Sequence, residues 1–239
     1  MRWLVAIAFV MSCCSSRVDE AADPTNFRQE ITNSLGMPFK LIPAGSHHKG
    51  EKEREIIIEQ PFYLGFTEVT NAQGIALMGF TPSHFKDPRL PIQSITYYEA
   101  VAFCNKLSSL QAERIAGRVY RLPTKDEWKH ACRAGTTTKY SFGNDDSLLG
   151  QFAWYTKNTR RPQVVVGKQP NPWGLFGMHG NVAEWCKEMG IVLGGQWNKK
   201  AVGCTSGSMY AKKPETKDWA IGFRLAITPP GVTSQKSEE

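Results

Sequence analysis

The chain has 239 residues, of which 41% are hydrophobic and 21% charged, and its mean hydropathy is -0.36. This length and composition predict one sizeable hydrophobic core, and the lack of an 18-residue apolar run excludes a multi-span membrane protein. The formal net charge of +7 is compatible with anionic partners, but the basic residues are spread along the chain, so we interpret them as solvated surface and expect no nucleic acid.

Residues 1–14 have the features of an export signal: a positive Arg2, an apolar stretch and the small residue Ser12. The letters VMSC resemble a bacterial lipobox, in which Cys13 would be lipidated and become the mature N-terminus. A lipid anchor would then be the only membrane attachment, and plain secretion is the alternative. The polar residues 15–33 predict a linker, and the folded domain is expected to span residues 34–228.

Strands are predicted over residues 39–42, 55–59 and 62–66. His47 and His48 precede the second of these and are candidates for a metal. Because neighbours on a strand point in opposite directions, we expect surface histidines instead.

Three capping signatures, a Thr followed three residues later by Gln or Glu, predict three helices. They are Thr70 with Gln73, Thr96 with Glu99, and Thr124 with Glu127. The first helix should end near Gly79 and the third at Gly135. In the second helix the apolar stripe is Tyr97, Ala100, Val101, Cys104 and Leu107, and in the third the inward residues are Trp128, Ala131 and Cys132.

Residues 143–172 are typical of a long loop, with one strand predicted over residues 163–166. Further strands are predicted over residues 191–197 and 221–227, and the tail, residues 229–239, should be disordered. These elements together predict an irregular α+β domain.

The most unusual stretch is residues 173–186, WGLFGMHGNVAEWC. Its glycines, Gly174, Gly177 and Gly180, recur every three residues, which favours a series of tight turns. Residues 182–186 follow as a short strand. From residue types alone, this stretch is interpreted as a packed insert in a larger core.

The same stretch resembles the GLYDMxGNVWEW signature of the formylglycine-generating enzyme family, whose domain is also called the sulfatase-modifying-factor domain. The rest of the chain also contains family motifs in the expected order. Before this stretch they are LIPAG, TEVTN, SITYYEAVAFCNKL and RLPTKDEWKHACRAG, and after it GGQW and IGFR. The resemblance covers roughly residues 34–227. It implies a single, loop-rich domain with the C-type-lectin-like fold.

Four cysteines lie outside the leader: Cys104, Cys132, Cys186 and Cys204. An even number in an exported chain suggests disulfides, and the sequence alone allows three pairings. The family resemblance implies Cys132–Cys204, which leaves Cys104–Cys186.

Enzymes of the family use two further cysteines, just after a GGS motif, to bind the Cu(I) that activates oxygen and converts a sulfatase cysteine into formylglycine. Soft thiolates suit that ion. Here GGQW is followed by Asn198, Lys199, Lys200 and Ala201, and Gln196 replaces the serine. The next thiol, Cys204, cannot supply two ligands, so we expect neither copper nor oxidase activity.

The resemblance also implies a calcium ion held by the carbonyl groups of Gly177, Gly180 and Val182 and by the carboxylate of Glu184. Oxygen ligands from a glycine-rich loop suit this hard cation. The alternative is that Glu184 pairs with a buried arginine such as Arg121 or Arg224. The family's other calcium loop should fall within residues 152–166, where this sequence diverges too far to assign ligands.

No HExxH, GxSxG or phosphate-loop motif occurs. His179 beside Asn181, with Glu184 near, is a candidate acid–base site, although a turn of this kind has many backbone groups to satisfy. Together with Gln196 and Trp197, His179 and Asn181 are the candidate residues of a binding cleft.

Three hypotheses follow. The first is a non-catalytic binding module in the cell envelope, presenting loops to a protein, peptide or glycan. The second is an active formylglycine-generating oxidase, and the third is a structural accessory domain. The missing thiol pair favours the first over the second.

Overall fold

A computed structural model describes residues 27–48 and 55–229 of the chain. The predicted leader, the lipidation candidate Cys13, most of the predicted linker and all but the first residue of the predicted tail lie outside these ranges. None of the helices in the described part of the chain has the length and apolar character needed to cross a membrane.

The described residues form eleven strands and seven helical segments. In chain order the strands are β1 (Glu30–Thr32), β2 (Pro38–Ile42), β3 (Gly45–His48), β4 (Glu55–Ile58), β5 (Phe62–Gly65), β6 (Tyr120–Arg121), β7 (Ala183–Trp185), β8 (Ile191–Leu193), β9 (Met209–Ala211), β10 (Ile221–Gly222) and β11 (Ala226–Ile227). The α-helices are α1 (Asn71–Met78), α2 (Tyr97–Ser109), α3 (Gln111–Ile115), α4 (Lys125–Arg133) and α5 (Leu149–Phe152), and short 3-10 helices cover Asp146–Leu148 and Ala201–Cys204.

The strands build two main sheets and a hairpin. The larger sheet has the order β1-β2-β5-β11-β6 and is antiparallel throughout. The smaller sheet has the order β10-β7-β8-β9, in which only β10 and β7 run parallel. The hairpin β3–β4 packs on α4.

The three predicted helix starts are confirmed. At each one the Thr side chain accepts a hydrogen bond from the backbone N–H three residues on, and the Gln or Glu there bonds back to the cap. The helix α1 ends at Gly79 as expected, whereas α4 is capped by a left-handed Ala134, one residue before Gly135.

Helix α2 buries its apolar stripe in the main hydrophobic cluster. Ala100, Cys104 and Leu107 are fully buried, Phe103 joins them, and Tyr97 and Val101 pack at the edge. Burying a side chain the size of Phe103 or Leu107 contributes roughly 1.5–3 kcal/mol. A second cluster, around Trp128, Cys132 and Leu193, lies between α4 and the smaller sheet.

Three element predictions need correction. The predicted linker overlaps β1, which pairs with β2, so the domain begins several residues before residue 34. Residues 163–166 are not a strand, because the N–H of Gln163 donates to the side chain of Asn181 instead of a ladder partner. The long loop after residue 143 also contains α5 and a 3-10 helix.

The last predicted strand, residues 221–227, is two strands in different sheets. Its first two residues form β10 beside β7, and its last two form β11 between β5 and β6. Arg224 lies in the crossing between them, with no exposed surface. One short segment of chain therefore joins the two sheets.

His47 was expected at the surface but is buried. Its strand, β3, lies against α4, and its ring stands 5.6 Å from that of His130. The packing of the hairpin on the helix covers it.

Candidate functional site

Residues 173–186 run through the centre of the molecule as tight turns followed by β7. Gly180 passes directly over the backbone of Trp154, where a Cβ atom would come within 2.4 Å of the Trp154 carbonyl oxygen. Asn181 follows in a left-handed conformation, with φ of 67°, and its N–H donates to that same carbonyl. The stretch is therefore a packed insert, as its residue types predict.

Glu184 in β7 is fully buried and bonded to Arg224. The guanidinium donates from Nε and Nη2 to the two carboxylate oxygens, at 2.6 and 2.7 Å. The indole Nε1 of Trp128 donates to the same carboxylate at 2.6 Å. The alternative that Glu184 pairs with a buried arginine is thus what the structure shows, with Arg224 as the partner.

This arrangement does not fit the calcium ion that the family resemblance implies. Both oxygens of Glu184 already accept short hydrogen bonds, and the adjacent guanidinium neutralises the charge that a cation would need. The carbonyl group of Gly177 accepts from the N–H of Gly180 at 3.4 Å. In the described ranges, no three His, Cys, Asp or Glu side chains come together as metal ligands.

Glu68 is the second buried carboxylate at this centre. Its Oε1 accepts from the side chain of Asn181 at 3.0 Å, and its Oε2 has no hydrogen-bond partner within the described residues. Burial raises its pKa to about 7, with the charge of Glu184 adding to the rise and Arg224 opposing it. Sequence reasoning missed this residue, although it lies within the TEVTN motif that had been recognised.

The acid–base candidates are structural. His179 is buried, with Nδ1 hydrogen-bonded to the Cys204 carbonyl at 3.0 Å and Nε2 accepting from the N–H of Ser141 at 3.1 Å. Burial lowers its pKa to about 4, so the ring is neutral at physiological pH. Asn181 is likewise enclosed, holding the backbone of Gln163 with both ends of its amide.

The predicted cleft is therefore not an open cleft. His179, Asn181 and Gln196 are all buried, and of the four candidates only Trp197 reaches the surface. Gln196 has a supporting role, because its amide donates to the Ala220 carbonyl at 3.2 Å and so holds the segment that carries Trp219.

Trp197 belongs instead to a group of four aromatic rings, His84, Phe85, Trp197 and Trp219, which we call the aromatic surface. His84 stacks flat on Trp219, with ring centroids 4.4 Å apart and planes 7° apart. Phe85 stands edge-on to both tryptophans, at 6.3 Å from Trp197 and 6.5 Å from Trp219. Trp219 remains 52% exposed.

The loop that carries His84 and Phe85 is held by two buried amides. Asn71 and Gln93 both donate to the Phe85 carbonyl, at 2.7 and 3.0 Å. Gln93 also accepts from the N–H of His84. Since neither amide side chain has exposed surface, the backbone that carries two of the four rings is held from within the core.

All four described cysteines are free and buried, so neither disulfide implied by the resemblance is present in this structure. Cys104 lies in the cluster around α2, whereas Cys186 lies in the other cluster. The Cys132 thiol points toward the Met178 carbonyl and the Cys204 thiol toward that of Lys200. Burial raises the pKa of both thiols to about 12.

Comparison with known proteins agrees with this geometry. Residues 29–229 match the family model described as the sulfatase-modifying factor enzyme 1-like domain. Chaperone protein LppX of Paenibacillus barcinonensis is 30% identical over 231 residues, which covers 77% of this chain and 79% of the relative. The formylglycine-generating enzyme of Mycobacterium tuberculosis is 36% identical over 107 residues, covering 40% of this chain and 32% of the enzyme.

Among solved structures, Treponema denticola variable protein 1 is 26% identical, with a TM-score of 0.77. That match covers 85% of this chain and 100% of the other. The predicted α+β, C-type-lectin-like architecture is confirmed. The chain belongs to the family of sulfatase-modifying factor enzyme 1-like domains.

Proposed function

We propose that the protein is an exported, non-catalytic binding module that holds a polypeptide partner in the cell envelope. The observation that carries the proposal is the aromatic surface. Exposed tryptophans on a rigid support are typical of the residues that contribute most to binding at interfaces. In this protein the exposed Trp219 and the partly exposed Trp197, 22 residues apart in the chain, are joined by a hydrogen bond from Trp197 Nε1 to the Trp219 carbonyl.

A polypeptide is favoured over a glycan by one relative. LppX, which aligns with most of this chain, is named a chaperone. Export rests on the signal features of residues 1–14, with Cys13 as the lipid attachment point or plain secretion as the alternative.

The absence of oxidase activity is supported by the residues after GGQW. Lys199 and Lys200 stand there, and the following thiol, Cys204, is enclosed by the core. A soft metal needs thiolates that face one open cavity, and a buried thiol with a pKa of about 12 is a poor source of one. The oxidase remains the alternative function, because part of this chain aligns with the formylglycine-generating enzyme of Mycobacterium tuberculosis.

The binding proposal is tested on peptide and glycan arrays probed in parallel with the purified chain and two variants. We expect peptide binding that Trp219→Ala weakens about 30-fold or more, the loss typical of an interface hot spot. Tyr98→Ala is the matched control, because Tyr98 is equally exposed, at 55%, but lies on α2. Glycan binding that depends on Trp219 would show that the partner is a glycan and would contradict the proposed polypeptide partner. No binding to either array would favour the structural accessory domain.

The catalytic alternative has a separate test. The chain is loaded with Cu(I) and incubated in air with a sulfatase-type cysteine peptide, beside a known formylglycine-generating enzyme as positive control. We expect the peptide to keep its cysteine. A formylglycine product from this chain would establish the oxidase and remove the non-catalytic part of the proposal.

A further inference from the structure

A cavity of about 520 Å³ opens beside the residues that follow GGQW, and we call it the lysine cavity. Two lysines, two hydroxyl residues and two apolar residues line it together with Gly203 and Tyr210; they are Lys199, Lys200, Thr205, Ser208, Val202 and Met209. It is distinct from the aromatic surface, with which it shares no residue. The family resemblance places the copper thiols on this segment of the chain.

The charge of the lysine cavity is positive and not compensated. No acidic side chain lines it, and no carboxylate of the described residues lies within ion-pair distance of Lys199 or Lys200. The ammonium group of Lys199 lies 5.3 Å from the centre of the Tyr210 ring, which orients it without neutralising it. Two neighbouring cations without a counter-charge favour an anionic ligand.

The backbone of this region holds the lysines in place. The Lys199 carbonyl accepts from both the N–H and the hydroxyl of Thr156, at 3.1 and 3.0 Å. Tyr210 donates its hydroxyl to the Gly203 carbonyl at 3.0 Å. A Cβ atom on Gly203 would lie 2.8 Å from the Tyr210 oxygen and 3.2 Å from Lys199 Cβ, so a larger residue here would displace the Tyr210 hydroxyl.

The lining also includes hydroxyl and apolar side chains. The hydroxyl groups of Thr205 and Ser208 lie 3.0 Å apart and share one hydrogen bond, which leaves one of their two protons free to donate to a ligand. Val202 and Met209 are 76% and 46% exposed, so both present apolar surface that a ligand could cover. An inorganic anion would make no use of them, whereas an aliphatic body would cover them.

We propose that the lysine cavity binds an amphiphilic organic anion: an oxyanion head group, carboxylate or sulfate, carried on a short aliphatic body. The head group is held by the two ammonium groups and by the one free hydroxyl proton of the Thr205–Ser208 pair, and the body lies on Val202 and Met209. This site is independent of the proposed polypeptide-binding surface.

The test is calorimetric titration of the full chain with sodium hexanoate, hexyl sulfate, inorganic sulfate and hexylammonium chloride. We expect saturable binding of hexanoate or hexyl sulfate, weaker binding of inorganic sulfate, and none of hexylammonium. The double variant Lys199→Met, Lys200→Met keeps the apolar stems and removes both charges, so it should weaken binding about tenfold or more. Lys213→Met is the matched control, because Lys213 is an exposed lysine that does not line the cavity.

A second variant, Val202→Asp, places a carboxylate on the exposed apolar wall and should abolish binding. Trp219→Ala should leave it unchanged, which separates this site from the aromatic surface. The proposal is overturned if neither organic anion binds saturably, if the double lysine variant binds as tightly as the wild type, or if inorganic sulfate binds as tightly as the organic anions. Circular dichroism of each variant verifies that it is folded.

Discussion

The ion pair of Glu184 and Arg224 has no exposed surface on either side chain. Two charges removed from water are tolerated only because each satisfies the other, and the Trp128 indole donates one further hydrogen bond to the carboxylate. Breaking such a pair leaves an uncompensated charge in the core, so the stability of the centre depends on both partners.

Glu184→Gln keeps the volume of the side chain and removes its charge. We expect it to lower the free energy of unfolding by about 3 kcal/mol or more, because the buried Arg224 guanidinium loses the carboxylate that accepts two of its hydrogen bonds. Urea unfolding monitored by circular dichroism measures the loss. Glu30→Gln makes the same change in the solvent-exposed pair with Lys40 and should have little effect. Equal midpoints for the two variants would contradict this account of the pair.

The same pair predicts the response to calcium. Because both Glu184 oxygens are occupied by hydrogen-bond donors, millimolar calcium chloride should leave the thermal unfolding midpoint where it lies in EDTA. Differential scanning calorimetry in the two buffers makes the comparison, with magnesium chloride as the ionic-strength control. A rise of the unfolding midpoint in calcium but not in magnesium would show that the protein binds calcium, as the family resemblance implies.

Glu68 predicts a pH dependence of stability. Burial, the largest cause, raises its pKa from an ordinary value near 4.5 to about 7. Between these values the folded state keeps a proton that the unfolded state has lost, so stability falls as pH rises through this window. Glu68→Gln removes the titration. The free energy of unfolding of the variant minus that of the wild type should therefore be larger at pH 8 than at pH 5. We expect this increment to be on the order of 3 kcal/mol.

Urea unfolding of both proteins at the two pH values measures the increment for Glu68. Other titrating groups are common to wild type and variant, so their contributions cancel in the difference. An increment of zero, or one of opposite sign, would show that the folded protein ionises Glu68 as readily as the unfolded chain.

Among the elements, α2 shows how a local signal is reinforced by packing. Its N-cap, Thr96, accepts from the N–H of Glu99 at 3.1 Å, and the Glu99 carboxylate accepts from the Thr96 N–H at 2.8 Å. These bonds satisfy backbone groups that a helix cannot satisfy internally. The buried face of the helix then anchors it in the main cluster.

Thr96→Ala removes this cap and should cost about 1 kcal/mol of stability. Asn105→Ala, at an exposed position of the same helix, is the control and should cost less, because alanine is the better helix former. Both are measured by urea unfolding. If the two variants were equally stable, tertiary packing alone would hold the start of α2.

At the scale of the whole molecule, the four described thiols decide whether the fold depends on covalent cross-links. All four are buried, and burial raises the pKa of Cys104, Cys132 and Cys204 to about 12. Thiols of this kind react slowly with oxidants and reagents, because the thiolate is the reactive form.

For a chain beginning at Ser15, a reductant should therefore leave the unfolding midpoint unchanged. The native protein should react slowly with a thiol reagent, and four thiols should titrate once it is unfolded. Intact mass spectrometry after alkylation in denaturant counts them independently. Loss of about 2–5 kcal/mol on reduction, with fewer free thiols, would show that the disulfides implied by the resemblance form after all.

Several features of the site could be predicted from sequence because the interactions that set them span a single turn. The Thr caps and the glycines at positions 174, 177 and 180 act through neighbouring backbone groups. The apolar stripe of α2 follows from helical periodicity. The family motifs predicted the fold as a whole, since they occur in the expected order along the chain.

Other features were decided by tertiary structure. Glu184 and Arg224 are 40 residues apart, and nothing in either local sequence selects one arginine over another. Residues 221–227 have a continuous strand pattern, but two sheets compete for their backbone, and the chain divides at Arg224. His179 and Gln196 resemble cleft residues in sequence and are buried in space. The aromatic surface and the lysine cavity likewise depend on separate segments meeting, because burial and charge compensation are properties of the packed molecule. The sequence by itself determined the family, the helix starts and the missing thiol after GGQW.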